Sequence, residues 1–300
     1  MATPLSPEAC CEEIRAREGR HGWAFALMRM RSRVHGGHAA GRVHDLARKF
    51  CDPSRPSFVG RAANGTLFAG DFNDTYSVAC NVVPEKFLQE LPEIARRAAR
   101  LGGCFVDVGA NFGLLSATAA LGMGNGGRVI AIEADPATAK RAAATAALNG
   151  LKNVDVYNLA ASDRNGFLDF YRTDAFSNRG SVDAACAAGD SHKISVQSVC
   201  LDSLLTPLDV QVSLLKIDVE GHELAVLRGA EETIRRSKPT IIFEFAPRLA
   251  CHTGWHIADA CKIINGFGTY RFSTIEGGGS GGIDPSWEPP DLVNVVCEPA

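Results

Sequence analysis

The chain has 300 residues, 46% of them hydrophobic and 22% charged, with a net charge of −3, enough apolar material for one large domain or two small ones; this composition excludes a fibrous or disordered chain. The slightly acidic balance argues against a surface that is one nucleic-acid footprint, and ten cysteines with no C-x-x-C spacing give neither a zinc ribbon nor a disulfide framework. No basic-then-apolar leader opens the sequence and no apolar run reaches the roughly 20 residues of a membrane span, so a reduced, cytoplasmic protein with no membrane partner is expected.

Residues 1–58 read as an N-terminal helical extension. Between Glu12 and Phe50 it is locally basic, with Arg29, Arg31, Arg33, Arg42, Arg48 and Lys49 interleaved with His35, His38 and His44. That pattern is a solvated helical face, or, in a sharper reading, a face for a phosphate-bearing or acidic partner. Pro53 and Pro56 punctuate the chain before the main domain, residues 59–300. Its lead-in, 59–101, holds a hairpin signal at Asn64-Gly65 and an amphipathic stretch from Pro84 to Leu101 that stops at Gly102-Gly103.

From Cys104 the rhythm is strand, loop, helix, repeated through a Rossmann-like core, 102–300. Strands are expected at Cys104 to Val108, Arg128 to Glu133, Val154 to Leu159, Val212 to Asp218, Thr240 to Phe245 and Leu292 to Cys297. Helices are expected at Phe112 to Leu121, Pro136 to Asn149 and Glu223 to Arg236. The alternation defines an α/β fold, a parallel sheet covered on both faces, with ligands bound beyond the carboxyl ends of its strands. Residues 164–203, with GFLDFYR and KISVQSV, read as an inserted antiparallel pair. EGGGSGG from Glu276 to Gly282, followed by DPSWEPP, reads as a flexible loop.

The segment FVDVGANFGLLS joins a strand to a helix, but Asn111 and Leu114 stand where a dinucleotide fingerprint needs its second and third glycines. Its D-x-G-x-x-x-G spacing instead resembles the first motif of class I S-adenosylmethionine-dependent methyltransferases. The resemblance implies that Asp107 and the loop Gly109, Ala110, Asn111, Phe112 and Gly113 receive the amino-acid end of the cofactor. It also implies that Glu133, followed by Ala134 in VIAIEADP, accepts the ribose hydroxyls, and that Ala161, Ser162 and Asp163 in LAASD lie at the adenine. Read from the residues alone, a glycine after a strand is more often a tight turn, and Asp135 before Pro136 is a helix N-cap.

FVDVGANFGLLS, VIAIEADP, NLAASD, LDSLL, LLKIDVEGHELAVLRGA and IIFEFAP, in that order over residues 60 to 250, are similar to the FkbM family of those methyltransferases. The resemblance implies a mainly parallel seven-stranded sheet with helices on both faces. It implies S-adenosyl-L-methionine as cofactor, S-adenosyl-L-homocysteine as product, and a hydroxyl on a small molecule, sugar or other glycan, or natural product as acceptor. N-methylation of a peptide or amine is the alternative, and a catalytically silent interaction module is a third reading. Where the family commonly shows a small serine-rich segment near the active site, this chain departs with FSNRGSVDA, Phe176 to Ala184, so Ser177 and Asn178 are not carried over as substrate contacts.

LLKIDVEGHE raises the question of why an apolar strand, Val212 to Ile217, ends in Lys216, Asp218, Glu220, His222 and Glu223. Alternation along a strand puts Lys216, Asp218 and Glu220 on one face. With Glu244 of the next strand and His222 they would form one polar cluster beside the transferable methyl. Asp218 and His222 are the candidate general bases for an alcohol, and the carboxylates, Asp218 among them, would steady the positive cofactor. Lys216 also reads as a strand-end salt bridge, and Glu223 as a first-turn residue favoured by the helix dipole. No motif fixes a divalent metal on Asp218, Glu220 and Glu244, and none is expected. Cys251, His252, His256 and Cys261 in CHTGWHIADAC match no zinc spacing; Trp255 there is placed in the acceptor pocket. The composition allows a homo-oligomer.

Overall fold

The computed structural model describes residues 2–19, 24–26, 28, 54, 56–82, 84, 90–173, 176–187, 191–275, 283, 289 and 291–300. The basic cluster from Arg29 to Lys49 and the glycine loop 276–282 lie outside them. Among the described residues no helix is long and apolar enough to cross a membrane.

Helix α1 (Pro7–Ala16) starts where Ser6 Oγ accepts the amide of Ala9 and Pro7 takes the first turn. It packs on the core rather than away from it, with Cys10 and Cys11 buried among core alanines. Strands β1 (Ser57–Arg61) and β2 (Leu67–Asp71) form the hairpin around Asn64-Gly65, followed by α2 (Thr75–Val82) and α3 (Leu91–Leu101). In α3 the buried Leu91, Ile94, Ala95 and Ala98 fall on one face, the spacing of an amphipathic helix.

The core runs β3 (Cys104–Val108), α4 (Leu114–Met123), β4 (Arg128–Glu133), α5 (Pro136–Leu148) and β5 (Val154–Asn158). A smaller sheet follows, from β6 (Ala160–Ala161), β7 (Gly166–Arg172) and β8 (His192–Val199), in the order β6-β8-β7. The expected antiparallel pair is present as β7 and β8, and β8 also pairs in parallel with β6. The chain returns through α6 (Leu201–Leu205), β9 (Val212–Ile217), α7 (Glu223–Arg228), α8 (Glu231–Ser237) and β10 (Thr240–Phe245). It ends with α9 (Pro247–Thr253), α10 (Ile257–Phe267), β11 (Tyr270–Thr274) and β12 (Val293–Pro299).

The seven-stranded sheet has the order β11-β12-β10-β9-β3-β4-β5. Five neighbouring strands are parallel, and β12 is antiparallel to both β10 and β11. Successive strands step outward from β3 in one direction and from β9 in the other, so their boundary is the switch point where α/β sheets bind ligands.

Two differences from the sequence expectation have clear causes. The helix expected from Glu223 to Arg236 is broken at Gly229 and Ala230. A Cβ on Gly229 would lie 2.0 Å from the carbonyl oxygen of Ser162, and Asp202 caps the second half by accepting the amides of Glu232 and Thr233. The first core helix begins at Leu114 rather than Phe112, because residues 109–113 make a tight turn in which Gly109, Asn111 and Gly113 have positive φ.

Phe105 is fully buried at the centre of the sheet, in the core shared with Leu214 and Ala131. Phe105→Ala is expected to lower the free energy of unfolding by about 3–5 kcal/mol, measured by urea denaturation.

Candidate functional site

A cavity of about 210 Å³ opens at the carboxyl ends of β3, β4, β9 and β10. Its floor is set by strand alternation. Leu215 and Ile217 point into one core, whereas Leu214 of β9, Phe105 of β3 and Ile242 of β10 point into the other. Asp107, Lys216 and Glu244 share the second face, two residues further along each strand. The register puts Asp107 directly beside Lys216.

Lys216 is nearly buried, with 10% of its side chain exposed, and its Nζ lies 2.8 Å from Asp218 Oδ2 and 3.9 Å from Asp107 Oδ1. Burial opposes its charge, but Asp218 and Asp107 more than compensate and hold its pKa above the usual lysine value. Asp107 is completely buried; burial raises its pKa, against Lys216 and the hydroxyl of Ser116, which donates to Oδ2. Asp107 Oδ1 has no hydrogen-bond donor among the described residues. It lines the cavity, so a donor on a bound ligand would satisfy it.

The glycine loop is shaped first by the protein itself. Gly109 has a φ of +79°, and a Cβ there would lie 1.7 Å from the carbonyl oxygen of Asp218. Gly113, with a φ of +77°, would put its Cβ 2.9 Å from Cα of Ala142 in α5. Both are therefore needed for close backbone approach whatever the cavity holds, and Gly113 does not line it. Gly109, Ala110, Asn111 and Phe112 do. Asn111 tolerates its left-handed φ of 51° because its side chain accepts the amide of Phe112.

Glu133 ends β4 with one carboxylate oxygen on the amide of Asn111 and the other on that of Asp135, each at 2.9 Å. Burial, and to a lesser degree the Asp135 carboxylate, push its pKa up to about 7, against those two amides and Arg141. Asp135 caps α5 through the amide of Thr138 and pairs with Arg172 of the insert. Ala134, Ala160 and Ala161 also line the cavity, but Ser162 and Asp163 do not. Ser162 is fully buried, and its Oγ lies 2.9 Å from His222 Nε2.

After β9 the chain makes a turn held by Glu223. That residue is in the first turn of α7, but its carboxylate reaches back to accept the amides of Val219 and Gly221. Glu220 takes a left-handed φ of 52° in this turn and pairs with Arg248 of α9 at 2.6 Å. One oxygen from each of Asp218, Glu220 and Glu244 lies within 4.8 Å of the others. Burial and then the Asp218 charge lift Glu220 to about 7. Burial, Asp218 and Glu220 raise Glu244 well above the carboxylate range. His222 is pushed below the usual histidine value by burial, against Asp163, which favours the neutral imidazole. Two of the three clustered carboxylates already face cations, Lys216 and Arg248.

The structure thus brings Asp107, Glu133, Lys216, Asp218, Glu220, His222 and Glu244 to one cavity. Trp255 is not there: it packs between Phe243 and Phe245 in the core. His256 caps α10 in a capping box with Asp259, and Cys261 is buried in the same helix. The cavity also takes Tyr76 and Glu90 from the lead-in, Ser177, Asn178, Gly180 and Val182 from the insert, and Arg248, Leu292 and Asn294. Of these, Ser177, Asn178, Gly180 and Val182 fall in the FSNRGSVDA segment, whereas Tyr76, Glu90, Arg248, Leu292 and Asn294 belong to no motif read from the sequence. Asn294 stands opposite Glu244 across the β10–β12 pair.

The sheet order, the loop after β3 and the acidic end of β4 define the class I S-adenosylmethionine-dependent methyltransferase fold. Within that class, residues 107–253 match the family model described as the methyltransferase FkbM domain, and the chain carries that domain. Among solved structures, the methyltransferase FkbM from Methylobacillus flagellatus aligns with a TM-score of 0.45 at 17% identity. The alignment covers 75% of this chain and 55% of that one, so the chain spans little more than half of that protein's length. A SAM-dependent methyltransferase from Agrobacterium tumefaciens aligns with a TM-score of 0.44 at 11% identity, over 82% of this chain and 71% of the other. No curated protein sequence matches the chain.

Because Glu133 rises from 4.5 to about 7 on folding, the folded state binds a proton more tightly than the unfolded state across that window. Its contribution therefore lowers stability as pH rises from 4.5 to about 7. In Glu133→Gln this part of the slope is expected to vanish, so urea midpoints measured across the window fall less than in the parent. An unchanged slope would mean that Glu133 is already ionised throughout.

Proposed function

We propose that the protein transfers a methyl group from S-adenosyl-L-methionine to a hydroxyl of a polar small molecule or glycan. The observation that carries this reading is the convergence of Asp218, Glu220 and Glu244 next to the Asp107–Lys216 pair, inside one cavity. Asp107 Oδ1, which accepts no hydrogen bond among the described residues, and the carboxylate of Glu133 fit the cofactor's donors: its ammonium group and its ribose hydroxyls, respectively. The cofactor supplies an electrophilic methyl carbon.

What remains for the chain is to orient the acceptor and move one proton. Asp218 suits the proton transfer better than His222. Its side chain is 29% exposed, in the cavity, and Lys216 holds one oxygen in place. His222 is committed through Nε2 to Ser162. Glu244, whose surroundings favour the protonated form, can donate a hydrogen bond to a second acceptor oxygen, with Asn294 opposite it. Glu220 is steadied by Arg248 and bounds the same space. The carboxyl, carboxamide and phenol groups of Asp218, Glu244, Asn294 and Tyr76 offer a polyol several hydrogen-bonding partners, beside apolar lining from residues such as Leu91, Leu115 and Leu292.

An amine acceptor is the second reading, favoured by three clustered carboxylates against two cations. Asp218 would then take the proton from nitrogen.

Calorimetry with S-adenosylhomocysteine tests the shared part: absence of binding would overturn both readings. Turnover against panels of sugars, amines and peptides separates them. With an acceptor in hand, Asp218→Asn is expected to lower turnover by about 10²–10⁴-fold while S-adenosylhomocysteine binding persists. Full activity in that variant would remove Asp218 from the proton transfer.

A further inference from the structure

Asp74 lies outside every motif of the sequence, yet it joins three distant parts of the chain. It is 2% exposed and precedes α2. Its Oδ1 accepts the amide of Tyr76, at 3.1 Å, and the amide of Ser177 in the insert, at 3.0 Å. Its Oδ2 accepts from Arg141 Nη1 of α5 at 2.8 Å. Arg141 is also buried; it takes Thr138 Oγ1 as a second partner and stacks over the Phe112 ring at 5.9 Å. Phe112 in turn packs against Tyr76, with ring centroids 5.8 Å apart. Both rings line the cavity.

The segment 176–182 crosses the cavity from this point. Ser177, Asn178, Gly180 and Val182 line it, and Ser177 Oγ is buried with no partner among the described residues. The far end is held at Ser181, whose backbone pairs with Tyr171 and whose hydroxyl donates to the carbonyl of Glu220. The segment is thus strung between Asp74 on the lead-in side and the carboxylate-bearing turn on the other.

We infer that Asp74 is a positioning residue: through the Ser177 amide it fixes segment 176–182 as the roof of the cavity, and so governs how tightly a bound ligand is retained. The inference rests on the reading that the cavity holds S-adenosylmethionine. A buried carboxylate is needed because it alone can accept two backbone amides on one oxygen while neutralising a buried guanidinium with the other.

The test must separate the roof contact from the buried ion pair, since loss of one charge alone would strand the other. Two double variants do so. Asp74→Asn with Arg141→Gln removes both charges and keeps an oxygen for the Ser177 amide. Asp74→Ala with Arg141→Gln removes both charges and that oxygen. Stopped-flow dissociation of S-adenosylhomocysteine is expected to be about tenfold faster in the alanine double than in the asparagine double. Hydrogen exchange at residues 176–182 is expected to be faster in the alanine double as well. Equal release rates, or faster exchange confined to residues 75–82, would overturn the inference and leave Asp74 as a cap of α2 alone. If the parent itself binds no S-adenosylhomocysteine, the cofactor reading fails instead, and the exchange comparison still decides whether Asp74 holds the roof.

Discussion

The site depends on a lysine ammonium kept charged in a nearly closed environment. Removing such an ion from water costs several kcal/mol, recovered only by close partners. Lys216 has two, Asp218 on its own strand end and Asp107 on the neighbouring strand. The pair across the sheet is satisfied in one register of β3 against β9, so the charges that serve the cavity also fix the pairing at the switch point. The tightness of that junction shows at Gly109, where the carbonyl of Asp218 occupies the place of a Cβ. The loop glycine and the charged strand end are therefore a single structural unit.

The electrostatic balance around that unit explains the chemistry available to it. Asp107, Asp218, Glu220 and Glu244 lie close together, with Lys216 and Arg248 as their cations. Burial resolves the excess by raising the pKa of Glu220 and Glu244. The outcome is a division of labour among like groups: Asp218 is partly exposed and lysine-paired, whereas Glu244 is driven toward the neutral acid. One suits proton acceptance and the other hydrogen-bond donation.

Around this floor, segments remote in sequence close the cavity. The lead-in contributes Tyr76 and Glu90, and the insert contributes Ser177 to Val182. Buried polar contacts tie them to the core: Arg141 to Asp74, Arg172 to Asp135, and Ser181 to the Glu220 carbonyl. Each contact also involves a residue at or next to the cavity lining, so closure and binding geometry are coupled.

The sequence by itself determined the alternation of the core and the acidic residues at its strand ends. Periodicity and turn chemistry are local: Cys104–Val108, Arg128–Glu133 and Thr240–Phe245 each declare themselves within a few residues, as does the Asn64-Gly65 hairpin. Local signals also placed Lys216, Asp218 and Glu220 on a common side. Tertiary structure decided what those signals could not contain. Gly229 interrupts a helix because a carbonyl from residue 162 approaches it. Trp255, expected in the acceptor pocket, is drawn into the core by Phe243 and Phe245. Ser162 faces His222 rather than the cavity. Asp74 belongs to no site motif in the sequence and acquires its partners at positions 141 and 177 only on folding. The physical reason is the same in each case: burial and close approach depend on which distant atoms arrive, and a local pattern cannot record them.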